Sequence, residues 1–167
     1  MAYKNTVAII SATTVLGAVI AKSIAANCRL LLMDAEQSKL MLLQGDIQAM
    51  CKNAEVDMLS CCKNASWEAD TIVVANPGES PDELAVNMKE VTNCKTVLHF
   101  TTRENDIDRL QQLLPHAKVV TIVLSQPLID TGAGSSAFIY GTDKEAIDTA
   151  KMMIEAMACN PKVRTAA

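Results

Sequence analysis

Short aliphatic runs alternate with stretches of helical apolar spacing along nearly all of the chain's 167 residues, and this alternation constrains the fold more than any other feature. Val7-Ala8-Ile9-Ile10, Arg29 to Met33, Val56 to Cys61, Thr71 to Ala75, Thr96 to Phe100, Val119 to Leu124 and Ala137 to Tyr140 read as strands. Between them, Leu16, Val19, Ile20 and Ile24 share one helical face, as do Leu40, Leu43, Ile47 and Met50. Leu84, Met88 and Val91 mark a further helix, Ile107, Leu110 and Leu114 another, and Ile147, Ala150, Ile154 and Met157 the last. Ser80-Pro81-Asp82-Glu83 and Thr142 to Glu145 each predict a capping box at a helix start. Strands that are aliphatic throughout, separated by helices, predict a three-layer, doubly wound α/β domain with a mainly parallel sheet. No linker or repeat interrupts residues 1–167, so a single domain is expected.

Composition narrows the function. A net charge of −4 without a basic stripe argues against nucleic acid as a partner. Six cysteines without a CxxC pair, beside only His99 and His116, give a zinc site little support; thiols of a reducing, cytoplasmic compartment are the expectation. Thr6 to Ala26 is long and apolar enough to suggest a membrane anchor or leader. Lys22 breaks the run and Gly17 divides a β-branched half from a helical half, so a strand and helix of the domain are expected instead, with no membrane partner.

In open α/β sheets ligands bind beyond the carboxyl ends of the strands, near the point where strand order reverses. That rule selects Ser11 to Leu16, the stretch after Asp34, Asn76 to Ser80, and Thr101 to Glu104, with Thr101 a candidate cofactor contact. The first of these, Ile9-Ile10-Ser11-Ala12-Thr13-Thr14-Val15-Leu16-Gly17, resembles the dinucleotide-binding turn of Rossmann domains in its GAxGxxG form, with Ser11 and Thr14 where glycines are expected. Gly17 keeps the position whose task is close packing of helix on strand. Ser and Thr hydroxyls and the helix N-terminus can still meet a phosphate, whereas a Cβ at Thr14 crowds it. Asp34 ends the second strand, where an acid accepts hydrogen bonds from the adenosine ribose and repels a 2′-phosphate; NAD is therefore favoured over NADP as cofactor. Asp34 has an alternative reading as the N-cap of the next helix, with Gln37 three residues on. Asn76-Pro77-Gly78 either borders the nicotinamide ribose or is a plain turn, and Arg103 either meets an anionic substrate or is a solvated charge.

The segments IISATTVLGAVIAKSIA, EADTIVVANPGESPDEL, LQQLLPHAKVV and FIYGTDKEAIDTAKMMIEAM together resemble the Rossmann domain of the deazaflavin-dependent NADP oxidoreductases, a family close to the cofactor domains of pyrroline-5-carboxylate reductases. The resemblance implies that Ser11, Thr13, Thr14, Val15 and Leu16 form the phosphate loop and that Asn76 and Pro77 face the nicotinamide. It also implies hydride transfer between a nicotinamide and a second cofactor or small substrate. Two features depart from the family: the missing glycines, and Asp34 where an NADP-specific member offers basic or hydroxyl side chains. The reductases' helical dimerisation domain has no counterpart here, so any substrate site is expected from this domain or a partner, a homodimer being one candidate.

Other chemistries fit less well. Tyr140 and Lys144 have the spacing of a short-chain dehydrogenase pair, but Gly141 and the Thr142 cap put them on different elements. His99 lies within an aliphatic strand, where a satisfied core histidine is expected, and Ser135-Ser136 lack a nucleophile-elbow context. Leu124 to Ser136, with Ser125, Gln126 and Asp130, reads as a connection or a substrate-lining loop. The sequence thus leads to an NAD(P)-dependent oxidoreductase, the alternative being a non-catalytic binding or oligomerisation module on the same scaffold.

Overall fold

A computed structural model describes residues 5–60, 64, 68–76, 78–125 and 135–164. Pro77, Cys61, Gln126 and Asp130 lie outside the described residues.

The aliphatic runs form one sheet of eight described strands: β1 (Thr6–Ile10), β2 (Arg29–Met33), β3 (Val56–Leu59), β4 (Thr71–Val74), β5 (Thr96–Thr101), β6 (Lys118–Leu124), β7 (Ser136–Tyr140) and β8 (Asn160–Arg164). Their spatial order is β3-β2-β1-β4-β5-β6-β7-β8. The first six run parallel, β7 is antiparallel to β6, and β8 is parallel to β7. The chain walks outward from β1 to β3, then returns to place β4 on the other side of β1. The reversal therefore falls between β1 and β4.

Helices α1 (Val15–Ile24), α2 (Gln37–Met50), α3 (Pro81–Met88), α4 (Arg109–Leu113) and α5 (Lys144–Ala156) cover the sheet. Alternate residues of each strand feed two separate cores. Ile9, Leu32, Val73, Phe100 and Ile122 pack with α1, α2 and α5 on one face. Ala8, Leu31, Val74 and Val97 pack with Leu84 and Met88 of α3 and Leu110 of α4 on the other. Ile9, Leu31, Leu32, Val73 and Phe100 are completely buried, and each such side chain contributes roughly 1.5–3 kcal/mol of burial free energy. The three-layer, doubly wound α/β expectation holds.

Several local readings change. Met50 is exposed, so the buried face of α2 is Leu40, Leu43 and Ile47. Neither capping box forms as the spacing predicts. Ser80 stands at the N-cap of α3 with Pro81 behind it, yet its side chain caps no amide. Asp143, not Thr142, caps α5, its Oδ1 accepting from the Ala146 amide at 2.9 Å. Tyr140 ends β7 and Lys144 opens α5, which separates the dehydrogenase-like pair. β8 was not expected. Its sequence, Asn-Pro-Lys-Val-Arg, is exposed at nearly every position and has no apolar alternation to betray it. Pro161 and the flanking cations suit an edge strand, where a missing donor and charge discourage further pairing. Among the described residues no helix is long and apolar enough to cross a membrane.

Candidate functional site

The turn joining β1 to α1 sits beside the topological reversal, at the carboxyl ends of the parallel strands. Ser11 adopts φ 60°, the left-handed conformation for which glycine is the usual residue. Serine here takes the backbone conformation that glycine usually supplies in such a turn. Its carbonyl accepts the Thr14 amide at 3.2 Å, and the Ala12 amide reaches the Met33 carbonyl of β2 at 3.1 Å. Thr14 is different. Its backbone is extended (φ −66°, ψ 160°), so the position makes no conformational demand for glycine. Its hydroxyl caps α1 by accepting from the Gly17 amide at 3.0 Å, and lies 2.9 Å and 3.0 Å from the Ser11 and Ala75 carbonyls as a donor. Gly17 is fixed by contact: an added Cβ would lie 2.6 Å from the Ser11 carbonyl oxygen and 2.8 Å from Ala12 backbone atoms. The surviving glycine does the packing task expected of it. Val15, next along, is exposed, whereas Leu16 turns into the core.

Asp34, just beyond β2, is tied to this turn. Its Oδ2 accepts from both the amide and the hydroxyl of Thr13, while the Glu36 amide approaches Oδ1 at 3.5 Å. Partial burial opposes the charge, but the Thr13 hydroxyl and amide and the Glu36 and Ala35 amides outweigh it and hold the carboxyl below its ordinary range. The N-cap alternative for Asp34 falls away, because Glu36 occupies that position in α2.

A cleft of about 510 Å³ opens between these groups and α3. Ser11, Asp34 and Ala35 line one side; Asn76, Gly78, Glu79, Glu83 and Asn87 line the other. Asn76 Oδ1 accepts from the Gly78 amide at 3.2 Å, shaping the β4–α3 loop as an Asx turn. Glu83 lines the cleft and closes no capping box, and neither it nor Glu79 stood out as a site residue in the sequence. Burial and the neighbouring Glu83 push the Glu79 carboxyl up. Ser11, Asp34 and Asn76 are thus brought together, and Thr13 backs them through Asp34.

Thr101 lies apart from that lining. It is buried, and its hydroxyl stays within its own loop, accepting the Arg103 amide at 3.1 Å and lying 3.4 Å from Asp106 Oδ2. Arg103 reaches out of the same loop to the Gly78 carbonyl at 3.1 Å, linking the loops after β4 and β5. His99, on the same face of β5, has no exposed surface, and neither ring nitrogen has a hydrogen-bond partner among the described residues. It is a core histidine, but not a satisfied one. Burial lowers its pKa, with Asp106 opposing. The loop after β6 is closed at its base by the Ser125 amide on the Ser136 carbonyl at 3.0 Å.

No family model matches this chain, and no curated protein does. Among solved structures, an imine reductase from Bacillus cereus superposes with a TM-score of 0.77 at 12% identity, over 96% of this chain and 55% of its own length. The Rossmann-like fold is shown. A reductive aminase from Aspergillus terreus, solved with NADPH and ethyl-5-oxohexanoate, gives 0.74 at 11% identity, covering 98% of this chain and 56% of the aminase. Prephenate dehydrogenase from A. aeolicus, solved with hydroxyphenyl propionate and NAD+, gives 0.72 at 12% identity over 99% and 61%. These neighbours are oxidoreductases of the Rossmann type, and the present chain spans little more than half their length. At such identities the likeness concerns the fold. The resemblance to the deazaflavin-dependent family rests on the sequence segments alone.

Proposed function

We propose that this chain is the dinucleotide-binding unit of an NAD(P)-dependent oxidoreductase, with NAD as the favoured cofactor. The observation that carries the reading is the cleft between the left-handed Ser11 turn and Asp34, beside the reversal of strand order. Its residues suit the adenosine half well. The Glu36 amide meets Asp34 Oδ1 at a long 3.5 Å, which leaves this oxygen able to accept from a ribose hydroxyl. The amides opening α1, at Val15 and Leu16, and the Ser11 hydroxyl are the candidate diphosphate donors, while the Thr13 and Thr14 hydroxyls, given to Asp34 and to the Ser11 and Ala75 carbonyls, shape the loop around them. By the sequence resemblance Asn76 and Pro77 are assigned to the nicotinamide side, and Thr101, at the end of the next strand, is kept as a further candidate contact. When bound, the nicotinamide supplies the hydride chemistry; these side chains orient it and exclude water. The hydride partner is a small substrate or a second cofactor, a deazaflavin by the sequence resemblance. The same proposal carries a cytoplasmic setting and a homodimer, the latter tested by sedimentation.

One observation favours a second reading, a binding module that has kept the scaffold and lost the cofactor. The Thr14 hydroxyl already satisfies the Gly17 amide and stands where a diphosphate must approach the turn. Calorimetric titration with NADH and NADPH separates the two. Micromolar NADH binding with weaker NADPH supports the oxidoreductase unit; no heat and no thermal stabilisation by either at millimolar concentration removes it. In the second case, Ser11→Gly with Thr14→Gly restores affinity if the turn alone is at fault.

A further inference from the structure

The cleft carries an electrostatic signature that extends the proposed function and rests on it. Three carboxylates line it: Asp34 from the end of β2, Glu79 from the β4–α3 loop, and Glu83 from the first turn of α3. No lysine or arginine is among the described residues that line it. Two cations on flanking elements already hold other groups. Lys39, one turn into α2, holds Glu36 at 2.7 Å. Arg103 bonds the Gly78 carbonyl from the β5 side, three strands away from Asp34 in the order β2-β1-β4-β5. We infer that Glu79 and Glu83 are specificity-determining residues, forming with Asp34 an anionic wall that admits an adenosine with free ribose hydroxyls and rejects one bearing a 2′-phosphate.

The physical argument is Coulombic. A 2′-phosphate brings about two negative charges into a cleft whose walls hold up to three more, with no lysine or arginine among the described lining residues to receive them. Asp34 alone would leave the opposite wall neutral and a phosphate free to turn towards α3. Glu79 and Glu83 remove that option, because they occupy the α3 side of the same cleft. Burial first, and the neighbouring Glu83 second, push the Glu79 carboxyl up, as expected of two acids on one wall. Because the cleft is open to solvent, the discrimination is moderate and falls as salt is added.

The test is calorimetric: dissociation constants for NAD+ and NADP+ on the wild-type chain, E83Q, E79Q/E83Q and a charge-matched control, D148N, on the exposed side of α5. The ratio of the NADP+ to the NAD+ constant is expected to fall by about 5-fold or more in E79Q/E83Q, by part of that in E83Q, and not in D148N. The fall should shrink in high salt. If NAD+ binds every variant and the ratio stays unchanged, the carboxylates of α3 do not set specificity, while the dinucleotide reading survives. If NAD+ binds none of them, although circular dichroism shows them folded, the dinucleotide reading fails and this inference with it.

Discussion

The turn after β1 and the interior beneath β5 are both polar regions of an apolar sheet, and they are resolved in opposite ways. In the turn, the Thr13 amide and hydroxyl, the Thr14 amide and hydroxyl and the Gly17 amide all have partners, spread over β1, β2, β4 and α1. Under β5, Thr121 donates to the Ile107 carbonyl at 2.8 Å, but His99 beside it offers two ring nitrogens that meet nothing among the described residues. A fully connected network can hold a strained residue such as Ser11 in place. An orphaned buried group only subtracts from stability. The comparison teaches that such a turn can form without glycine at Ser11 or Thr14, provided its polar groups are fully paired.

The strongest way to break the turn is Gly17→Ala. The new methyl meets backbone atoms on two residues, which cannot swing aside as a side chain would, so a loss of about 3 kcal/mol or more is expected in chemical denaturation. Thr14→Val keeps the shape and removes the cap, leaving the Gly17 amide unanswered; about 1–2 kcal/mol should go. The other region responds with the opposite sign. His99→Leu removes two unsatisfied nitrogens at similar volume and should raise stability by about 1 kcal/mol at neutral pH. Ser11→Gly, the mildest change, relieves a left-handed serine and should stabilise by roughly 0.5–1 kcal/mol, unless the hydroxyl holds a partner the turn needs.

Acid sharpens the contrast further. The folded pKa of His99 lies below its unfolded value, so below about pH 6.5 the unfolded chain takes up a proton that the folded chain refuses. Its contribution to the pH profile is therefore level above that value and destabilising as pH falls through it. A denaturation series between pH 8 and 5 should show this slope in wild type and its loss in His99→Leu. Asp34 acts later. Its depressed folded pKa gives stability that is present above the ordinary carboxylate range and lost only in stronger acid.

The sheet was legible because a parallel strand buried on both faces reads as a near-continuous apolar run, and β1, β2, β4, β5 and β6 do, His99 and Thr121 being the polar interruptions. The turn's location followed from the same pattern, and Gly17's role from its place in it. What escaped notice was polar or depended on distant partners. β8 is exposed and gives no periodic signal. Asp143 displaced Thr142 as a cap because either side chain can serve as an N-cap, and only backbone geometry chooses between them. Glu83 matched a capping box by spacing, yet its side chain lines a cleft whose far wall, Asp34, lies 49 residues earlier. Glu79 carries no motif, so nothing in the sequence separated it from an ordinary surface acid. Asp34 itself was singled out, but its bonds to Thr13 were not, since no local pattern reports a contact between two neighbouring strand ends.

The reversal of β7 and β8 has a practical consequence for handling the molecule. β1 begins at the rim of the sheet away from the cleft, and β8, running opposite to β1, heads towards that same rim. Both ends of the described chain therefore leave from the rim opposite the cleft. A fluorophore, affinity handle or surface tether joined at Asn5 or Arg164 would stand behind the sheet, and an immobilised molecule would present its cleft outward.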